Sequence, residues 1–392
     1  MTRIVVTGLG TMSPFGAGTE AFWSGIASGG CAIRPITLLD TDGFRCRIGA
    51  EVPEIIGASP RRSRADRLAV AAAREALRDA GLGPRERRDA GVVVGAVGGG
   101  MLEAEAWYWT RKDDEPDRAA LAALRAILPS THAEVLGGAF GLRGPRETVV
   151  AACSSGAVAL ALGCDLIADG RARVVLAGGA DSLTRICYMG FNALKLLDLE
   201  PCRPFDRDRR GMSIGEGAAF AVLEDAEHAR ARGAGAYAEL AGYGMTTDAY
   251  HPTAPHPEGE GMIRAMEIAL ATARLDPRDV GYVNAHGTGT LQNDRIEARA
   301  IRAVFGDAPV LVSATKSMIG HTMAAAGSLE AVATVLALVN QQIPPTANLV
   351  NPDPDATFDC VPKIAREHAV ECAISNSFGF GGQNMTLLFR RR

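Results

Sequence analysis

The feature that most constrains the fold is an internal repeat, because the second half of the chain follows the order of the first. Gly281–Asn284 matches Gly91–Val94, and a Pro-Arg pair precedes each of them. Two later pairs of segments also match, Leu311–Ala314 with Val149–Ala152 and Gly381–Leu388 with Glu216–Leu223. Strand-like segments alternate with helical ones, which predicts two similar α/β halves, residues 1–233 and 234–392. Corresponding strand ends should then face one cleft, where α/β sheets bind ligands.

A single cysteine stands where a strand changes into a helix. Thr148–Val150 is β-branched and predicts a buried strand, while Gly156–Ala168 is apolar on every face and predicts a core helix. Cys153 lies at the elbow between them. The unpaired N–H groups of a helix N-terminus favour a thiolate, which is the nucleophilic form of cysteine. The alternative is an unreactive cysteine buried in the core.

Composition limits the class of protein. The chain has 392 residues, of which 47% are hydrophobic, and a net charge of −4, which argues against nucleic acid as a partner. No apolar run approaches the roughly 20 residues that span a bilayer, so we expect a cytoplasmic protein. The eight cysteines show no CxxC pair and no His/Cys spacing typical of zinc sites. We therefore expect reduced thiols and no metal.

Three polar loops follow predicted strand ends and should meet Cys153. The first carries His286, the second carries Lys316 and His321, and the third is the glycine-rich segment Asn376–Gly382. A lone histidine in a glycine turn is more often structural than catalytic. Two of the chain's seven histidines at duplicated strand ends, both predicted to face one cysteine, favour a catalytic site.

These segments carry a resemblance to a known family. Ala152–Gly156, Asn284–Thr290, Lys316–Gly327 and Asn376–Gly382 resemble the motifs of the elongating β-ketoacyl-acyl carrier protein synthases, and the resemblance runs from Arg3 to Phe389. It implies the thiolase fold, an α/β architecture of duplicated halves layered α-β-α-β-α. Two positions depart from the family pattern. Ala324 stands where glycine is common, and Gln383, beside the expected gate, stands where threonine or histidine is common.

The resemblance implies a decarboxylating Claisen condensation of a cysteine-bound acyl chain with malonyl-acyl carrier protein, which gives 3-oxoacyl-acyl carrier protein. The pathway would be fatty acid or polyketide biosynthesis. No cofactor is expected to be bound, because the substrates are carried on the phosphopantetheine of acyl carrier protein. The resemblance implies that Cys153 carries the acyl chain, that His286 and His321 stabilise the enolate, and that Lys316 and Glu330 order the site. It also implies an oxyanion hole formed by the N–H groups of Cys153 and Phe380, and a gate formed by Phe378 and Phe380. Thr288 and Thr290 are implied to bind the pantetheine arm.

Related enzymes and subunits are alternatives to an elongating synthase. A thiolase needs a second cysteine in the C-terminal loop, where this chain has Phe378 and Phe380. Initiating synthases and chalcone-type enzymes use Cys-His-Asn, whereas the third position here is His321. A non-catalytic chain-length factor typically lacks the cysteine. A ketosynthase that is active only as a heterodimer with a chain-length-factor-like partner remains open.

Basic residues predict a docking surface for an acidic carrier protein. One cluster precedes a predicted amphipathic helix, and a second group lies near the expected entrance of the site. The docking candidates are Arg61, Arg62, Arg64, Arg67, Arg203 and Arg207.

The chain is also expected to dimerise. The predicted strand Val174–Gly179 should be an apolar sheet edge, and pairing with a second copy would cover it. The 101–140 insertion, with Trp107, Tyr108 and Trp109, should then contact the partner. Val97, on the preceding turn, is the candidate for the floor of the acyl pocket.

Overall fold

The structure is a computed structural model that describes residues 2–55, 59, 62–111 and 124–392. The strands are β1 (Ile4–Ser13), β2 (Gly16–Ala17), β3 (Arg34–Pro35), β4 (Ile48–Ala50), β5 (Gly91–Gly95), β6 (Arg146–Val149), β7 (Val174–Asp181), β8 (Ile214–Gly215), β9 (Gly217–Asp225), β10 (Ala238–Thr247), β11 (Val280–Asn284), β12 (Leu311–Ser313), β13 (Gln342–Ile343), β14 (Arg366–Glu367), β15 (Cys372–Gly379) and β16 (Gln383–Arg391). The α-helices are α1 (Thr19–Ala27), α2 (Arg64–Asp79), α3 (Pro84–Asp89), α4 (Met101–Arg111), α5 (Ser130–Phe140), α6 (Ser155–Ala168), α7 (Arg185–Ala193), α8 (Ala226–Ala231), α9 (Glu260–Ala273), α10 (Leu291–Phe305), α11 (Lys316–Ile319) and α12 (Ala326–Asn340). Short 3-10 helices occupy Pro277–Asp279 and Met323–Ala325.

The main sheet has mirrored halves. The first half runs β1-β9-β7-β5-β6 and the second runs β10-β16-β15-β11-β12, with parallel and antiparallel pairs at corresponding places. The halves join where β1 pairs antiparallel with β10, Val5 opposite Glu239. This arrangement confirms the predicted α/β fold of duplicated halves. The division at 233/234, which lies between α8 and β10, stays a prediction.

Two central helices separate the halves of the sheet. Helices α6 and α12 contact each other and pack on strands of both halves, while α2 covers the outer face of the first half and α9 that of the second. The five layers follow because both central helices are apolar all round, as fully buried helices are. Among the described residues, Met323–Asn340 is long and apolar enough to cross a membrane, and 89% of it is buried inside the protein.

The exposed edge of the first half is β6, which corrects two predictions. Strand β7 lies between β9 and β5, so Val174–Gly179 is an interior strand and not an edge. Among the residues that the structure describes, strand β6 pairs on one side alone, and each of its residues is half-buried. Val150 is 59% exposed, so Thr148–Val150 is not the buried strand that its composition predicts. The repeat predicts two similar halves, but neither the repeat nor β-branched composition reveals which strand lies outermost.

Arg64 is a structural residue, which corrects its assignment to a docking surface. At the start of α2 its Nε donates to Glu216 Oε2 (2.9 Å) and its Nη2 donates to the Val52 carbonyl (2.9 Å). Glu216 is fully buried and also accepts the N–H groups of Val52 and Leu183. The guanidinium therefore neutralises an interior carboxylate. Arg62 and Arg67 are half-buried, whereas Arg61 lies outside the described residues.

Replacing Arg64 should destabilise the fold. Arg64→Gln leaves the buried Glu216 carboxylate without its ion-pair partner, so we expect the free energy of unfolding to fall by about 3 kcal/mol. Arg207→Gln removes an exposed arginine and should change it by less than about 0.5 kcal/mol. Chemical denaturation followed by circular dichroism measures both. Equal stability of Arg64→Gln and the wild type would contradict a structural role for Arg64.

Candidate active site

The cysteine elbow is held by a strained turn. Ala152, immediately before Cys153, has φ +47°, a left-handed conformation that is uncommon for a residue with a side chain. The Ser155 hydroxyl stabilises the turn, because it accepts the Ala151 N–H (2.8 Å) and donates to the Ala152 carbonyl (2.6 Å). The end of β15 lies close to the elbow, since a Cβ added at Gly379 would lie 3.2 Å from the Cys153 nitrogen. The predicted strand-to-helix elbow is therefore confirmed.

The thiol faces a cavity of about 340 Å³ that both halves of the chain line. Loops from the second half bring the two histidines and the glycine-rich segment to the cysteine, as the repeat predicts. Residues that line the cavity include Cys153, Phe191, His286, Thr288, Thr290, His321, Phe378 and Phe380.

Both histidines are neutral and carry their proton on Nε2. Lys316 Nζ lies 3.2 Å from His286 Nδ1, and an ammonium group has no acceptor, so Nδ1 accepts. His321 Nδ1 accepts the Met323 N–H (3.1 Å). Burial, and next the Lys316 charge, hold the pKa of each imidazole well below its usual range. Within the described part of the chain, His321 Nε2 has no hydrogen-bond partner, so its N–H is available to a ligand.

Lys316 is buried at the junction of the halves. Its ammonium forms an ion pair with Glu330 and donates to the His286 carbonyl (2.7 Å), and both charged side chains are 1% exposed. Burial raises the pKa of the Glu330 carboxyl to about 7, although the Lys316 charge opposes this. The four residues His286, His321, Lys316 and Glu330 thus form one contiguous group, as expected.

Glu297 is a site residue that the sequence reading missed. Its carboxylate accepts the N–H groups of His286 and Gly287, each at 2.7 Å, and so fixes the backbone of the first histidine loop. The residue is on α10, eleven positions after His286. An acidic residue in an amphipathic helix gives no sequence signal that distinguishes it from a solvated one.

The glycine-rich segment lies at the thiol, where a gate and oxyanion donors are expected. The backbone N–H groups of Phe380 and Cys153 act to lower the pKa of the Cys153 thiol. The Phe378 ring packs 5.9 Å from the His286 ring, and the Phe380 ring lies 5.9 Å from that of Phe191. Backbone bonds from Asp248 to Gly382 (2.8 Å) and from Gly381 to Pro252 (2.8 Å) fasten the segment to the loop after β10.

The two positions that depart from the family pattern lie apart from the thiol. Gln383 begins β16 opposite Thr247, next to the lining residues Gly382 and Asn384. Ala324 is fully buried and donates its N–H to Asp181 (3.0 Å).

The entrance is basic, but at other positions than the sequence indicates. Lys195 and Arg210 line the cavity. Arg203 is paired with Glu200 (2.6 Å), and Arg207 is exposed outside the lining. Val97 also lies outside the lining and is 39% exposed, so its assignment to the floor of a pocket shaped by two subunits stays a prediction.

The Cys153 thiol is protonated at neutral pH. Burial raises the pKa of this thiol to about 11, although the Lys316 charge and the N–H donors of Phe380 and Cys153 act in the opposite direction. The expectation that the helix N-terminus holds a thiolate is therefore wrong. The energy of removing the charge from water exceeds the stabilisation that the donors provide.

Alkylation of Cys153 should report this pKa. Iodoacetamide reacts with the thiolate, so its rate at Cys153 should rise about tenfold per pH unit between about pH 7 and 9, without a plateau. Mass spectrometry of the labelled peptide measures the rate separately from that of the half-exposed Cys31 and Cys187. A rate that is already constant near neutral pH would mean that the thiolate predominates there.

Two family models match the chain, the β-ketoacyl synthase N-terminal domain over residues 1–229 and its C-terminal domain over residues 237–350. A 3-oxoacyl-[acyl-carrier-protein] synthase 2 from Synechocystis is 39% identical and covers 99% of this chain and 98% of its own. The ishigamide ketosynthase/chain length factor has a TM-score of 0.94 at 38% identity, covering 100% and 99%. A ketosynthase structure with a type II polyketide acyl carrier protein has a TM-score of 0.92 at 31% identity, covering 100% of both. These matches, together with the geometry of Cys153, His286 and His321, show that the chain belongs to the β-ketoacyl synthase family.

Proposed function

We propose that the protein condenses a Cys153-bound acyl chain with malonyl-acyl carrier protein, with loss of CO2, to give 3-oxoacyl-acyl carrier protein. The observation that carries the proposal is the arrangement around the cavity. A cysteine thiol, two backbone N–H donors and two neutral imidazoles share one buried site. Acyl transfer needs the nucleophile and the backbone donors, whereas decarboxylation needs N–H groups that can stabilise an enolate oxygen.

The first half of the reaction loads the acyl chain. The Cys153 sulfur attacks the carbonyl carbon of an acyl thioester, and the oxyanion accepts hydrogen bonds from the N–H groups of Cys153 and Phe380. The pantetheine thiolate leaves and takes up the proton that the cysteine loses. Because the Cys153 thiol is protonated in the resting site, this proton must depart as the sulfur attacks.

The second half forms the carbon–carbon bond. Malonyl thioester loses CO2, and the electron pair of the broken bond becomes an enolate whose oxygen accepts hydrogen bonds from Nε2–H of His286 and His321. The enolate carbon then attacks the acyl carbonyl on Cys153, and the sulfur leaves as a thiolate that takes up a proton from solvent. Thr288 and Thr290, whose hydroxyls lie 2.9 Å apart, would hold the pantetheine arm. Phe378 and Phe380 would gate the acyl chain.

The proposed carrier is the phosphopantetheine of an acyl carrier protein, and no bound cofactor takes part. The ketosynthase relative in complex with an acyl carrier protein supports this partner. Lys195 and Arg210 at the cavity, with Arg203 and Arg207 nearby, would attract its acidic surface. Arg62 and Arg67 remain docking candidates. The reaction serves fatty acid or polyketide synthesis equally, and we propose the cytoplasm as its location.

We further propose a dimer that pairs along β6. Within the described ranges of the chain, this strand leaves one row of backbone groups unpaired, and a second copy about a two-fold axis would cover both edges. Val97 lies beside it, since the Ala96 N–H donates to Val149 (3.1 Å), so the partner could enclose Val97. Tyr108 and Trp109 on α4 are more than half exposed and belong to the same proposed contact. The similarity to the ketosynthase/chain length factor structure supports a heterodimer as the alternative.

Two substitutions test the reaction. Cys153→Ala should form no acyl-enzyme, whereas His321→Ala should load an acyl chain but lose CO2 release by about a hundredfold or more. Intact-protein mass spectrometry measures loading, and labelled malonyl carrier protein measures CO2. Equal loss of both steps in His321→Ala would contradict the separation of roles.

Condensation by the purified chain alone supports the homodimer, and a requirement for a second ketosynthase-like subunit supports the heterodimer.

Charge reversal tests the carrier surface. Lys195→Glu combined with Arg210→Glu should raise KM for carrier-bound substrate about tenfold or more, and the wild-type KM should increase with salt. The KM for a small pantetheine thioester should change much less. Arg85→Glu is the matched control, because α3 precedes the start of β5 and so lies at the sheet end opposite the thiol. Carrier kinetics that are unchanged and independent of salt would exclude this surface.

A further inference from the structure

Arg209 is a buried cation that the condensation chemistry does not use. It follows the exposed Arg207 by two residues, yet its side chain is 1% exposed. It forms an ion pair with Asp353, and its Nε lies 3.7 Å from Asp294, which is also 1% exposed. A guanidinium removed from water in this way must be satisfied by fixed partners.

The remaining donors of Arg209 reach the threonine loop. Its Nε donates to the Thr290 carbonyl (3.3 Å) and its Nη2 donates to the Leu291 carbonyl (3.1 Å). A third donor reaches the Asp206 carbonyl (2.9 Å). One planar group therefore ties the Arg203–Gly211 segment to the end of the loop that carries Thr288 and Thr290 at the cavity.

Asp294 holds the other side of the same loop. Its carboxylate accepts the Gly289 N–H (3.1 Å) and lies within 3.5 Å of the Thr288 hydroxyl. It also accepts the Phe205 N–H (2.9 Å), so it too joins the two segments. A direct backbone bond from Gly211 to Gly289 (3.1 Å) completes the attachment, and a Cβ on Gly289 would lie 2.6 Å from the Gly211 oxygen.

We propose that Arg209 and Asp294 are positioning residues that set the place of the Thr288 and Thr290 hydroxyls and so determine the affinity for the pantetheine arm. This inference rests on the proposed function, in which those hydroxyls bind that arm. The arm is bound before, during and after bond formation, so its affinity affects KM more than kcat. Arginine suits this task better than lysine, because its planar fork reaches several fixed acceptors at once.

The test compares Arg209→Lys with Arg295→Lys. Arg209→Lys keeps the positive charge beside Asp353 and Asp294 but loses the planar guanidinium group. Arg295→Lys alters an exposed arginine of α10 that pairs with Asp355 (3.3 Å). We expect Arg209→Lys to raise KM for malonyl-acyl carrier protein about tenfold and to leave kcat within about twofold. Arg295→Lys should match the wild type. The alkylation rate of Cys153 by iodoacetamide should be the same in all three proteins.

A second comparison separates positioning from a general structural effect. In a chain that already carries Thr288→Val and Thr290→Val, Arg209→Lys should raise KM no further, because the hydroxyls through which it acts are gone. An equal increase in both backgrounds, or an unchanged KM in Arg209→Lys alone, overturns the inference.

Asp353→Asn provides the test if Arg209→Lys does not fold, because Asp353 is at the solvent side of the pair with a 16% exposed side chain. It should raise KM about threefold, again only when the threonines are present. An unchanged KM in Asp353→Asn overturns the inference in that case. A wild-type chain that loads no acyl group, alone or with a second subunit, would instead refute the proposed function.

Discussion

The buried ammonium of Lys316 is the interaction on which the site depends. It lies where the second half of the chain meets the central helices, with its charge balanced by Glu330 on α12. From there it donates to the side chain and the carbonyl of His286, which fixes the tautomer of that ring. Its positive charge, added to burial, keeps both imidazoles neutral. One cation therefore produces two N–H donors suited to a developing anion.

The same burial determines the chemistry of the nucleophile. Cys153 lies near the backbone N–H group of Phe380 and at the start of a helix, and both factors favour a thiolate. Its pKa is nevertheless raised, because burial disfavours the charged form of the thiol. With a protonated thiol and neutral imidazoles, none of the three reacting side chains carries a charge in the resting state. Charge then appears only as the reaction proceeds, when the fixed donors stabilise it most.

Buried charged side chains hold the loops around the cavity. Glu297 fixes the His286 backbone, and Arg209 with Asp294 fastens the threonine loop to the segment before β8. Arg64 and Glu216 likewise join two elements, α2 and the turn before β9. Of these contacts, the one between Arg209 and Asp294 joins the two halves of the chain.

The sequence by itself determined the duplicated α/β halves, the elbow at Cys153 and the convergence of both histidine loops on the thiol. It could do so because duplicated segments fold alike and because parallel strands end at one edge of a sheet. Tertiary structure decided which strand is outermost, so the edge is β6 and not β7. It also decided that Arg64 is interior, that Lys195 and Arg210 line the entrance, and that Val97 does not line the cavity. Burial and ion pairing arise from contacts between distant segments. The pKa of Cys153 depends on the same contacts, which residue type and spacing do not specify.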